Sequence, residues 1–209
     1  MPKRDPIAEV VSSTITGFIA QCSSTESDDG VPRITKPRFG SFLKVECKES
    51  KYDTLAVVYN VITGSPDNAH QPWALGMSRE QLRQEQPHIF SLLRTEVHAV
   101  VVGYASGKEV FQHLPPLPAD VHDFVYEATN DEVRLLTKDL EFLRLLSSVT
   151  VVPQDELIAA CIREAYYARG REHAFLVEAG QALSHMMRSD YDRLVSILKQ
   201  IRPEAIARA

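Results

Sequence analysis

Two histidines and two aspartates near the middle of the chain have the residue types and spacing of a metal site. They are His113, Asp120, His122 and Asp123. Imidazole nitrogen and carboxylate oxygen are both common ligands of divalent metals. The alternative is structural, because carboxylates at Asp120 and Asp123 also suit the positive end of a helix, beside a surface His122. The first interpretation predicts a metal-dependent hydrolase, and the second predicts no chemistry here.

Three cations precede the central strands and form the second candidate site. Arg33, Lys36 and Arg38 could contact an anion such as a nucleic-acid phosphate, or they could form a solvated rim. The whole chain carries 23 basic and 28 acidic residues, a net charge of −5. Phosphate binding depends on neutralising cations, so this balance weakens direct nucleic-acid binding but leaves a local patch open.

Motifs of several enzyme classes are absent from the sequence. There is no GxxxxGK[ST], GxGxxG, HExxH or GxSxG segment. Without a glycine loop to hold the β- and γ-phosphates, we expect no ATP hydrolysis, and no cofactor is predicted. Cys22, Cys47 and Cys161 are odd in number and widely spaced, which predicts reduced, buried thiols.

The elements that would position these residues change character along the chain. Residues 37–65 predict two strands joined by a charged turn, and residues 96–111 predict a second hairpin around Ser106 and Gly107. Residues 13–21 predict a first strand after a loose lead-in, with Gly17 at a bulge or close backbone approach. Ser78 and Gln81 predict a capping box at the start of a short helix.

A proline cluster marks the predicted boundary. Pro115, Pro116 and Pro118 form LPPLP, and the residues beyond them have helical periodicity. Val121, Phe124 and Val125 are predicted to lie in a short helix, followed by several longer ones. The predicted fold class is α+β. An N-terminal antiparallel β-barrel with a helical insertion occupies residues 1–115, and an all-helical domain occupies residues 116–209.

Two groups of apolar residues are candidate contact surfaces. Trp73, the one tryptophan, is predicted to plug a domain seam or to serve as a partner hot spot. The last predicted helix has an apolar stripe formed by Leu194, Ile197, Leu198 and Ile201. Such a stripe either contacts a second copy or packs on its own bundle.

Three segments together resemble a known family. The segments FGSFLKVECKESKYDTLAVVYNVITGS, EVHAVVVGY and HLPPLPADVHDFV resemble a bacterial group with a HAS barrel. This barrel is named for HerA-type DNA translocases and the N-terminal domains of ATP synthase α and β subunits. The resemblance covers roughly the first 115 residues and implies ring or subunit packing through the barrel. It does not carry over an ATPase motor, because the nucleotide motif is missing here.

The sequence-based expectation is therefore a non-enzymatic assembly or adaptor module that binds a protein partner or itself. The alternatives are an accessory factor of a DNA-processing or translocase complex and the metal-dependent hydrolase. No apolar run approaches the roughly 18 residues of a membrane span, and Asp5 and Glu9 interrupt the N-terminal segment. Those features predict a cytoplasmic location without membrane contact.

Overall fold

The computed structural model describes residues 4–25, 33–65, 74–86 and 88–201, and it has a mixed α/β architecture. The strands are β1 (Ala8–Thr14), β2 (Gly17–Cys22), β3 (Ser24–Thr25), β4 (Arg33–Ile34), β5 (Phe42–Glu46), β6 (Asp53–Gly64), β7 (Arg94–Ser106), β8 (Glu109–Phe111) and β9 (Phe124–Glu127). The helices are α1 (Arg79–Glu85), α2 (His88–Ser91), α3 (Asn130–Leu136), α4 (Leu143–Leu146), α5 (Gln154–Ala168), α6 (His173–Met186) and α7 (Tyr191–Gln200).

Six strands close into an antiparallel barrel in the N-terminal part of the chain. The order is β2-β1-β9-β5-β6-β7, and a pairing between β2 and β7 completes the ring. Strand β8 forms a hairpin with β7 outside this ring. Closure pairs the edge strands, which removes the exposed edges on which open sheets aggregate.

The sixth barrel strand, β9, corrects the prediction of a short helix around Val121, Phe124 and Val125. Phe124–Glu127 pairs with both β1 and β5. Aromatic and β-branched residues favour a pleated surface, and Val125 faces the barrel interior with no exposure. The strand is too short for its alternation to be distinguished from helical periodicity. It lies beyond the predicted boundary, and the division into two domains stays a prediction.

The N-terminal segment also differs from the predicted loose lead-in. Ala8–Thr14 forms β1 and pairs with β2, so the single predicted strand is a hairpin turning at residues 15–16. The close approach predicted at Gly17 is confirmed, because a Cβ there would lie 2.7 Å from the Ala99 carbonyl oxygen. The two predicted hairpins, β5–β6 and β7–β8, are confirmed, as is the capping box of Ser78 and Gln81.

Two apolar cores lie on opposite faces of the barrel wall. One fills the interior and includes Val10, Leu43, Val58 and Val125. The other joins outward-facing strand residues such as Phe42 to the helices that follow β9. Alternation of side chains along each strand produces this division. The central helix of the outer core is α5, whose Leu157, Ile158, Cys161 and Ile162 are buried.

Gly40 shows how closely the barrel and α5 approach each other. Its φ is +83°, in the left-handed region that favours glycine. A Cβ at this position would lie 2.6 Å from the carbonyl carbon of Ala160 and 2.7 Å from the amide nitrogen of Cys161. The chain therefore enters β5 directly against the α5 backbone, and this contact has no room for a side chain.

Candidate functional site

Three of the four predicted metal-ligand side chains, those of His113, His122 and Asp123, have separate partners in the structure. The His113 ring packs edge-on against Tyr104, with centroids 5.2 Å apart, and its Nδ1 lies 3.2 Å from the Leu114 carbonyl oxygen. His122 contacts the carboxylate of Glu9 through Nδ1. Among the residues that the structure describes, no three His, Cys, Asp or Glu side chains are grouped so that they could hold a metal.

The two aspartates instead shape the loop that leads into β9. Asp123 is buried, and its Oδ2 accepts a hydrogen bond from the Asp120 backbone N–H at 3.0 Å. Between them, His122 has a φ of +76°. The two carboxylates therefore lie at the entry to a strand and not at the helix start that the structural alternative predicted.

Two residues of the predicted cation cluster, Lys36 and Arg38, contact different elements of the chain. Lys36 donates from Nζ to the Thr63 hydroxyl at 2.8 Å, at the end of β6. Arg38 donates from Nη1 to Glu164 of α5 at 3.5 Å. The Arg33 backbone belongs to β4, and its side chain lies outside the described part of the structure. The carboxylate of Glu164 offsets part of the charge of Arg38, whereas Lys36 keeps its charge because the Thr63 hydroxyl is neutral.

The apolar stripe predicted on the last helix is largely part of the protein's own core. Leu194, Ile197 and Ile201 are buried against the barrel-facing helices, whereas Leu198 remains 41% exposed. These three residues therefore cannot form a surface for a partner. Trp73, the other predicted interface residue, lies outside the described residues.

The exposure of Leu198 follows from helix geometry. At about 100° per residue, its direction lies about 100° from that of Ile197, so Leu198 stands at the edge of the buried stripe. Tyr191 begins the same helix and points within about 20° of Leu198. It is 75% exposed. The helical spacing predicts that Tyr191 faces inward with Leu194, Ile197, Leu198 and Ile201, and its exposure corrects that prediction.

Helix α6 extends this exposed apolar surface. The Cδ2 atom of Leu198 lies 3.9 Å from where a Cβ would be on Gly180, so Leu198 reaches across α6 at a residue without a side chain. One turn before Gly180, Val177 is 53% exposed. We call Val177, Gly180, Tyr191 and Leu198 the α6–α7 patch. Apolar residues grouped in this way characterise protein contact sites more than isolated ones do.

A groove lies on the side of α6 that faces α4. Its volume is about 630 Å³, and its walls include Leu140, Arg144, Glu178, His185 and Met186. The walls of this groove carry basic, acidic and apolar side chains. Helix α6 thus contributes to a mixed groove on one side and to the apolar α6–α7 patch on the other.

A charged network joins the barrel to α3 and was not predicted. Lys44 is buried on the outward face of β5, and its Nζ lies 3.1 Å from Glu132, 3.4 Å from Glu46 and 3.5 Å from Asp53. Burial lowers the pKa of Lys44, but the surrounding carboxylates outweigh burial and raise it. A lysine held in its charged form is a poor nucleophile, so this network supports structure and not covalent catalysis.

Comparison with known proteins identifies no family for this chain. No protein-family model matches the sequence, and no curated protein matches it significantly. Within the described residues, no helix has the length and apolar character needed to cross a membrane.

Proposed function

We propose that this protein is an assembly or adaptor module that binds another protein surface through its helices and its barrel. The observation that carries the proposal is the α6–α7 patch, where Val177, Tyr191 and Leu198 are exposed on adjoining helices. An apolar surface of this kind gains free energy when a partner removes it from water, by about 25 cal/mol per Å². The closed barrel offers its outer wall as a second contact surface.

The proposal includes the finer identification of the barrel and of the domains. We infer that the barrel is of the HAS type, which is supported by its six-stranded closed architecture together with the resemblance of the segments quoted above. We also propose that α1 and α2 form a helical insertion of the barrel between β6 and β7 and that the helices after β9 form a helical C-terminal domain. In this proposal the barrel packs against neighbouring subunits, without a motor.

The other two functions have less support from the structure. A role in a DNA-processing complex relied on the cation cluster, of which Lys36 and Arg38 pair within the chain. A metal-dependent hydrolase relied on four side chains, three of which, His113, His122 and Asp123, have other partners. We therefore put the assembly function first.

The test is self-association, the simplest case of assembly. Light scattering over a concentration series should show a mass above that of the monomer for the unchanged protein, and Leu198→Glu should shift it toward the monomer. Leu135→Glu is the matched control, because Leu135 is 51% exposed on α3, away from the α6–α7 patch. A monomer at every concentration, or equal effects of the two substitutions, would count against assembly through this patch.

A further inference from the structure

The exposed face of α7 has an apolar edge and a charged edge. At about 100° per residue, Tyr191 and Leu198 lie on one side of Val195 and within about 60° of it. Asp192 and Lys199 lie on the other side, at a similar angle. The residues of both edges are exposed, and Val195 is half-buried between them. The two edges therefore run next to each other along the whole helix.

The two side chains of the charged edge, Asp192 and Lys199, have no hydrogen bond or ion pair among the described residues. Other charges of the same helix are used within the chain. Asp190 accepts a hydrogen bond from the Arg193 backbone N–H, and the Arg193 side chain donates to Asp155 at 2.7 Å. The helix dipole favours an acid in the first turn and a base in the last, but it does not select the side on which they lie.

The spacing along the helix makes this face complementary to itself. Each edge has its two residues seven positions apart, which is about 10.5 Å, and both edges are centred close to Val195. A twofold axis perpendicular to the helix at Val195 sets a second α7 antiparallel to the first. It brings charged edge against charged edge and apolar edge against apolar edge, and it places each acid opposite a base. A parallel pair would instead set each charged edge against an apolar one.

We propose that a second copy of this chain covers the α6–α7 patch, through an antiparallel pair of α7 helices about a twofold axis at Val195. This inference rests on the proposed function and names the partner. In the pair, Tyr191 packs on the partner's Leu198, and Asp192 forms an ion pair with the partner's Lys199. Symmetry repeats each of these contacts once.

Helix α6 leaves room for the aromatic ring of the second copy. Leu198 lies against Gly180, which has no side chain to cover it, so the partner's Tyr191 can reach Leu198 from the α6 side. Val177, 53% exposed on α6, extends the apolar edge. The ten residues of α7 span only about 15 Å, which is short for a stable interface. We therefore expect a weak dimer, with a dissociation constant of about 10–100 µM.

Charge reversal in the full chain tests this pairing. Asp192→Lys and Lys199→Glu each place like charges at both symmetric contacts, so each should weaken self-association about 10-fold at about 50 mM salt. An equimolar mixture of the two variants restores an opposite-charge pair at both contacts and should associate about as tightly as the unchanged protein. The double variant Asp192→Lys/Lys199→Glu should recover association for the same reason. Sedimentation equilibrium up to about 0.5 mM protein measures the dissociation constants.

Two control variants account for net charge and for the helix dipole. Asp131→Lys reverses an exposed acid in the first turn of α3, and Lys108→Glu reverses an exposed base in the turn between β7 and β8. Both lie on elements other than α6 and α7. Each should leave the dissociation constant within about 2-fold of that of the unchanged protein. Effects as large as those of the α7 variants would overturn the inference.

The outcomes separate this inference from the proposed function. A protein that self-associates, but whose two α7 variants do not recover association when mixed, has its contact elsewhere. That result contradicts the antiparallel α7 pair and leaves assembly standing. A monomer at every concentration would mean that a second copy does not cover the patch, and it would count against both.

Discussion

The Nζ atom of Lys44 on β5 lies 3.1 Å from Oε1 of Glu132 in the first turn of α3. The same glutamate accepts hydrogen bonds at Oε2 from the backbone N–H and the hydroxyl of Thr129, at 2.7 and 2.8 Å. Thr129 and Glu132 together form the capping box of α3. One carboxylate therefore both starts the first helix after the barrel and ties that helix to the barrel wall.

Replacing Lys44 with methionine should destabilise the fold. The substitution keeps the apolar stem but leaves Glu46, Asp53 and Glu132 close together without their common cation. We expect a loss of about 1–3 kcal/mol in the free energy of unfolding, less than for a fully buried pair because these carboxylates are partly exposed. Urea denaturation measures this loss in the free energy of unfolding. Lys51→Met, at an exposed position in the same hairpin turn, should change stability by under about 0.5 kcal/mol.

The contribution of Glu132 should depend on pH. Burial raises its pKa, but the hydrogen bonds from Thr129 and the charge of Lys44 outweigh burial, so the folded pKa is below the ordinary 4.5. A depressed carboxyl pKa stabilises the fold above the unfolded pKa, and this stabilisation disappears as the pH falls through the folded value. Glu132→Gln should therefore be less stable than the unchanged protein by about 1–2 kcal/mol near pH 7.

The comparison of these two proteins across the pH range isolates the carboxylate. Their stability difference should shrink as the pH falls from about 4.5 downward, because the glutamine variant lacks this titration. Carboxyls with raised pKa values, such as Asp53, are present in both proteins and largely cancel in the difference. A difference that stays constant down to pH values below the folded pKa would show that the charge of Glu132 contributes nothing.

Removal of the Glu164 carboxylate should stabilise the fold at neutral pH, which is the opposite of the effect expected for Glu132. Burial raises the pKa of Glu164, and Arg38 opposes burial only in part because its guanidinium is mostly exposed. A raised carboxyl pKa destabilises the fold at neutral pH, and protonation relieves this as the pH falls. Glu164→Gln should stabilise the protein by less than about 1 kcal/mol near pH 7, with a gain that declines on acidification. Chemical denaturation of both proteins at neutral and at acidic pH measures this difference in stability. A Glu164→Gln variant that is less stable than the unchanged protein at neutral pH would contradict the prediction.

The parts of the fold that the sequence predicts are those with long, regular patterns. The runs of β-branched and other apolar residues in β6 and β7 and the capping residues of α1 were sufficient for their elements. The strand β9 was missed because four residues are too few to define a period, and its identity depends on pairing with β1 and β5, which are distant in sequence. Local patterns do not encode such pairings.

The candidate sites were predicted less well, for reasons of side-chain direction and long-range contact. Lys44 alternates with apolar residues and therefore reads as a solvent-facing strand residue, yet α3 covers it. Leu198 was grouped with three residues that face the core, because spacings of three and four define a stripe without defining its edge. A cavity beside the β1–β2 hairpin is formed by segments more than a hundred residues apart in sequence, so no local sequence motif predicts it.

The three thiols should be unreactive in the folded protein. The prediction of free, buried cysteines is confirmed. Burial raises the pKa of Cys22 to about 11, and it also raises the pKa of Cys47 and of Cys161, so little thiolate forms at about pH 8. Iodoacetamide followed by mass spectrometry should leave the native chain unmodified and should label three sites in concentrated urea. Rapid labelling of the native chain would contradict the placement of at least one cysteine.

Gly40 should be one of the glycines that tolerate substitution least. Gly40→Ala combines a positive φ with a Cβ that would overlap the α5 backbone at Ala160 and Cys161, neither of which is a flexible side chain. Relief requires β5 and α5 to separate, which exposes part of the core around Phe42. We expect a loss of about 3–5 kcal/mol in the free energy of unfolding.

The matched control for this substitution is Gly107→Ala. Gly107 has a φ of +62°, but nothing lies within 4 Å of its Cβ position, so only the backbone strain remains. We expect a loss of about 1 kcal/mol there. The difference between the two variants in urea denaturation then measures the close packing of barrel against helix. Equal losses at Gly40 and Gly107 would mean that β5 and α5 do not touch as described.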